Sequence, residues 1–171
     1  GYLASYSNTT GAYNASLGSG ALYSNTTGDR NTSMGINALY TNTTASNNSA
    51  FGANALGSNS TGENNVAVGK DALTANLSDD NVGVGYNALA VNTTGSSNTA
   101  VGSAALDGNT TASNNTAIGR LALSTNTTGA NNSALGYRSL INSTTGDQNT
   151  SVGADSMYTN TTGEYNVSMG Y

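Results

Sequence analysis

The sequence contains no cysteine, no histidine and no proline, and only 8% of its residues are charged. Without cysteine there is no disulfide framework and no hint of redox compartment. Without histidine or cysteine, and with no acid pair in a pocket-forming insert, the convergent titratable group an active site needs cannot be assembled, so the chain reads as a non-enzyme. It needs no cofactor, and the acidic residues keep no fixed place in the repeat, which argues against a metal site. The four basic residues, Arg30, Lys70, Arg120 and Arg138, are scattered. They form no patch for nucleic acid or anionic lipid. No apolar run is long enough to insert in a membrane. The absence of proline suits continuous ladders of backbone hydrogen bonds, because each proline would delete a donor.

What fills the 171 residues is Asn, Ser, Thr and Gly in strict phase. Low hydrophobicity alone permits disorder, but a net charge of only −5 and fixed apolar positions favour order. The five-residue pattern of Asn98-Thr99-Ala100-Val101-Gly102 recurs with its glycine at Gly18, Gly35, Gly52, Gly69, Gly85, Gly102, Gly119, Gly136, Gly153 and Gly170. The interval is seventeen residues throughout, except for sixteen between Gly69 and Gly85. This is a repeat array.

Each unit adds Ala-Leu after the glycine, with Ser or Met as rare substitutes, and then an Asn-x-Thr or Asn-x-Ser turn. The glycine and the Asn-Thr-Thr-Gly breaks are incompatible with a helical stripe. The fold class is therefore all-β, a parallel β-solenoid (β-roll or β-helix) of ten seventeen-residue coils. Residues 1–171 form one array, expected to be a segment of a longer fibre, since both ends fall at the same point of the repeat without a polar cap. With parallel strands about 4.8 Å apart, ten coils make a rod on the order of 48 Å long.

Two apolar columns are expected to share a thin core. The first is the large residue before each glycine (Leu17, Met34, Phe51, Val68, Val84, Val101, Ile118, Leu135, Val152, Met169). The second is Leu22, Leu39, Leu56, Leu73, Leu89, Leu106, Leu123, Leu140 and Met157, placed on a second extended segment. The residue two before each glycine is never larger than Ser, so the opposite strand face is expected to meet something at close range. Charges just after the glycine or just before the repeat Asn mark solvent-facing corners.

The Asn-x-Ser/Thr turn recurs at Asn8, Asn25, Asn42, Asn59, Asn76, Asn92, Asn109, Asn126, Asn142 and Asn160. It is a glycosylation acceptor pattern, and also the pattern of a hydrogen-bonded Asx or Ser/Thr turn. The middle residue varies, even to Leu77, while a Ser or Thr persists at the third place through both irregular coils. That persistence favours covalent glycans. The Asn that opens each strand reads as a structural ladder. Tyrosines such as Tyr23, Tyr40, Tyr86, Tyr137 and Tyr158 sit at corners, as solvated surface or as platforms for carbohydrate.

Units such as Asn98-Thr99-Ala100-Val101-Gly102 with Ala105-Leu106 resemble the head repeats of trimeric autotransporter adhesins, and are similar to repeats in bacterial surface and phage tail-fibre proteins. The resemblance covers the whole chain, although the added Asn-x-Thr turn lengthens each coil. It implies a parallel β-roll with three protomers side by side, the small-residue column between them, in an extracellular fibre that binds host or matrix surfaces. The expected function is a structural extracellular fibre or filament shaft, at the cell surface or on a virion, partnered by itself end to end or as a lateral homotrimer. The alternative is an adhesin or tail-fibre head binding a cell surface or carbohydrate. An ice-binding solenoid is a further alternative, weakened because the paired threonines lie on a turn.

Overall fold

The computed structural model describes residues 1–171 as a parallel β-solenoid. One three-residue strand is formed in each coil: β1 (Ala15–Leu17), β2 (Thr32–Met34), β3 (Ser49–Phe51), β4 (Val66–Val68), β5 (Val82–Val84), β6 (Thr99–Val101), β7 (Thr116–Ile118), β8 (Ser133–Leu135), β9 (Thr150–Val152) and β10 (Val167–Met169). They pair in sequence order as one parallel sheet, so ten strands bound nine full turns. Register is strict, with Thr99 beside Thr116, Ala100 beside Ala117 and Val101 beside Ile118. The sixteen-residue coil keeps it too, with Gly83 beside Ala67.

The inside of the sheet differs from the sequence expectation. The small residue faces inward: Ala50, Ala67, Ala100 and Ala117 are fully buried. The large apolar residue beside it faces out, with Phe51 38% and Leu135 47% exposed. The core is thus one leucine per coil, Leu22 through Leu140, packed on the small strand column and on the residue that precedes each Leu, an Ala everywhere except Ser139. The reason is room. A Cβ added at Gly83 would lie 3.1 Å from Leu73 Cγ, so the strand comes too close to the leucine stack to admit a larger side chain. Where serine replaces alanine it finds a partner, as Ser33 Oγ does on the Ala38 carbonyl at 2.7 Å.

No second strand forms around the leucines. Leu22, Leu39, Leu56, Leu73, Leu89, Leu106, Leu123 and Leu140 all have φ between +50° and +54°, in the left-handed region. That conformation costs about 1–2 kcal/mol for a residue with a Cβ, and full burial of a leucine returns about 1.5–3 kcal/mol. The two roughly balance, so each corner is sustained by what its leucine touches. A second left-handed residue lies two positions earlier, often one that tolerates it, as in Asn37, Asn54, Asp71 and Asn87. The repeat glycines have φ of +128° to +148°. Backbone here stacks directly on backbone: a Cβ on Gly102 would stand 2.6 Å from the Gly119 carbonyl.

Hydrogen bonding runs from coil to coil around the whole perimeter and not only in the sheet. Of 105 backbone bonds, 87 lie outside the strands, such as Leu39 N–H to Ala55 O and Thr26 N–H to Thr43 O. No helix is long and apolar enough to cross a membrane.

Candidate functional site

Two columns of asparagine run through the interior and meet at one backbone oxygen per coil. The strand-opening asparagines form the first. In each, Oδ1 accepts from the backbone N–H of its counterpart in the next coil, as Asn98 does from Asn115 at 3.0 Å. Its Nδ2 donates to a turn carbonyl of the next coil, from Asn98 to Ala112 O at 2.9 Å. The sequon asparagines form the second column. Asn109 Nδ2 donates to the same Ala112 carbonyl at 3.0 Å and to Asn92 Oδ1 at 2.9 Å. The same shared acceptor recurs at Gly28, Ala45, Gly62, Ser78, Gly95 and Gly129. Side-chain bonds between sequon asparagines link Asn8, Asn25 and Asn42 in one run and Asn76, Asn92, Asn109 and Asn126 in another.

The sequon asparagines differ in whether a glycan could reach them. Asn25, Asn42, Asn59, Asn76, Asn92, Asn109 and Asn126 are fully buried. Their Nδ2, the atom a sugar would be joined to, points into the coil and donates to protein oxygens. No glycan fits there while the coil is closed. Asn8 is exposed, Asn160 is half-buried with its Nδ2 on Gly163 O, and Asn142 lies outside the column.

The two irregular coils show why the sequence misled. In the coil after Asn126 the interior place is taken by Ser143, which is buried, while Asn142 faces outward with its Nδ2 on Tyr158 O at 2.7 Å. In the shortened coil Ser78 stands in the column that holds Gly62 and Gly95, its carbonyl accepting from Asn65 and Asn76. The Ser and Thr that preserve the motif at these two points are therefore in different structural positions. In the regular coils it is chiefly the middle threonine that bonds across: Thr93, Thr110 and Thr127 each donate to the backbone carbonyl one coil on.

The outer face of the sheet is the second candidate. Two columns project from it. The first, beginning at Ala15, is otherwise Thr, Ser or Val, including Thr99 and Thr116. The second is the unbroken line of large apolar residues from Leu17 to Met169. Nothing in the chain covers this line: Met34, Phe51, Val68 and Ile118 are each about two-fifths exposed. The expectation that the small-residue column forms the contact between protomers is overturned, because that column is sealed inside the coil. The variety of the outward column was the available signal. It admits Val, Ile, Leu, Met and Phe, whereas the interior column keeps to Leu with a single Met.

At the corners, charged groups pair along the rod. Arg138 bridges to Asp155 one coil away at 2.6 Å and lies over the rings of Tyr137 and Tyr158. Asp71 is held below the usual carboxylate range by hydrogen bonds from Lys70 and then Asn54. Half-buried Asp107 is pushed the other way by burial, against the pull of its own backbone N–H and that of Gly108. No protein-family model, curated protein or solved structure matches the chain.

Proposed function

We propose that this chain is the shaft of an extracellular fibre, and that its rods associate side by side through the outer face of the sheet. The observation that carries this reading is the line of ten large apolar side chains facing outward along the stacked coils. A continuous apolar stripe is what a protein hides against a partner. The stripe repeats with the coil, so it matches a second copy of itself along its whole length. Uniformity supports a shaft in preference to a single-site receptor binder, since no coil carries an inserted loop. A rod with so few charges gains little solubility from repulsion, and sugar at Asn8, Asn142 and Asn160 would supply it without opening a coil. The partners are further copies of the chain, and the setting is the cell surface or a virion.

Sedimentation of the parent and of a variant with Val101→Lys and Ile118→Lys tests the reading. Both side chains point to solvent, so the variant keeps its circular dichroism. The parent is expected to sediment as a side-by-side oligomer and the variant as a single rod. A parent that remains a lone monomer at tens of micromolar would sink the proposal.

A further inference from the structure

A stack of tyrosines along one corner stops abruptly, and the place where it stops has the features of a sugar site. Tyr6, Tyr23 and Tyr40 occupy the same position in three successive coils. Their rings are 5.3 and 4.9 Å apart and within 10° of parallel. In the next coil the position is Gly57, and in the one after it is Thr74. The ring of Tyr40 is therefore left without a neighbour on that side and is 37% exposed. Over it opens a cleft of about 230 Å³ that reaches from Tyr40 past Gly57 to Thr74.

We propose that this cleft binds one pyranose ring of a neutral carbohydrate, stacked on Tyr40 at the level of Gly57. Three observations fix the chemistry. The floor is the electron-rich face of an aromatic ring, which attracts the polarised C–H face of a sugar. The height fits, because a ring at the Gly57 level lies one coil above Tyr40, and the preceding tyrosines already stack at that interval. The rim is polar and uncharged in its free groups. The Asn37 carboxamide and the Ser58 hydroxyl make no hydrogen bond to protein, and Asn54 gives its Nδ2 to Asp71 at 2.9 Å while leaving Oδ1 open. The asparagines of the two interior columns, by contrast, give their side chains to protein groups. Here a carboxamide, a carbonyl-type oxygen and a hydroxyl stand ready around a flat apolar floor. An aromatic ligand would cover the floor but leave these groups unmatched, whereas the hydroxyls of a sugar meet them. The volume lies below the roughly 300 Å³ at which pockets for larger ligands begin, so the site holds one ring of a chain or a terminal sugar. The site lies at a different corner from the outer sheet face and does not depend on lateral assembly.

Saturation-transfer difference NMR with methyl β-galactoside, methyl β-glucoside and methyl β-N-acetylglucosaminide, each at tens of millimolar, tests it. At least one is expected to receive magnetisation on one face of its ring. Gly57→Tyr continues the tyrosine stack into the cleft, in a column where the three preceding coils carry tyrosine and with its Cβ 3.0 Å from the Asn54 carbonyl oxygen, and should weaken the interaction about tenfold or more. Tyr40→Leu keeps the bulk but removes the aromatic face and should do the same. Circular dichroism of both variants matching the parent shows that the coil is intact. Transfer to none of the three sugars, or transfer that survives Gly57→Tyr undiminished in a folded variant, overturns the proposal.

Discussion

Asn126 and Ser143 stand one coil apart in the same interior column, and neither Asn126 Oδ1 nor Ser143 Oγ has a hydrogen-bond partner. Every counterpart of Ser143 from Asn25 to Asn126 is an asparagine. A serine is too short to reach the amide before it, so the column ends in an orphaned acceptor. An unsatisfied buried polar group costs about 1–3 kcal/mol.

Ser143→Asn should therefore stabilise the rod. The new Nδ2 would reach both Asn126 Oδ1 and the Gly146 carbonyl, as those of Asn109 and Asn126 reach theirs. The expected gain is about 1 kcal/mol, read as a higher denaturant midpoint. An unchanged or lower midpoint would mean that the surrounding coil cannot admit the larger side chain.

The two apolar columns should respond very unequally to truncation. Leu106→Ala removes a fully buried side chain and should cost about 2–5 kcal/mol. Val101→Ala, on the outer face, should cost well under 1 kcal/mol in a dissociated rod, in the range of ordinary surface changes. Leu106→Val carries a further penalty because φ here is +51°, where a branched Cβ clashes. Equal losses at positions 101 and 106, measured by denaturant unfolding of dilute protein, would restore the sequence-based core.

Repeat length, strand position and parallel stacking were legible because glycine phase and the alternation around it are written in every unit. Sidedness was not. Alternation says that Ala100 and Val101 face opposite ways, but not which way is in, and the size rule that large residues fill cores points wrongly here. What decides is the left-handed corner, which brings Leu106 against the sheet and leaves space only for Ala100. Its trace is the absence of Val and Ile from the interior column, since branched side chains resist positive φ. The burial of the sequon amides was hidden for a different reason: an acceptor motif and an interior ladder require the same residues, and only packing tells them apart.

Asp107 makes the stability of the rod depend on pH. Burial lifts its carboxyl above the ordinary 3.8. The folded chain then keeps this proton at a pH where the unfolded chain has lost it, so stability falls as pH rises from that ordinary value through the folded one. Asp107→Asn should raise the melting temperature at pH 7 and leave it nearly unchanged at pH 3. Comparing parent and variant at each pH cancels Asp71, whose depressed value acts in the opposite sense. A larger gain at pH 3 than at pH 7 would contradict the assignment.

Sugar and closed coil compete for the same nitrogen at most sequons. If the chain passes through a secretory pathway that adds N-glycans, molecules modified at Asn92 or Asn109 would have to expel a buried amide, losing its bonds to the carbonyl oxygen and to the neighbouring Oδ1. Those molecules should be recovered as protease-sensitive or aggregated material. Modification at Asn142 requires only the loss of one surface bond to the Tyr158 carbonyl, and Asn8 and Asn160 are likewise reachable. Limited proteolysis to isolate the folded fraction, followed by glycopeptide mapping, separates the cases. Sugar is expected at Asn142, Asn8 or Asn160 in the resistant fraction and at none of the seven buried sites. A protease-resistant rod bearing glycan at Asn92 or Asn109 would show that the asparagine column can turn outward, and with it that the shared carbonyl clamp is dispensable to the coil.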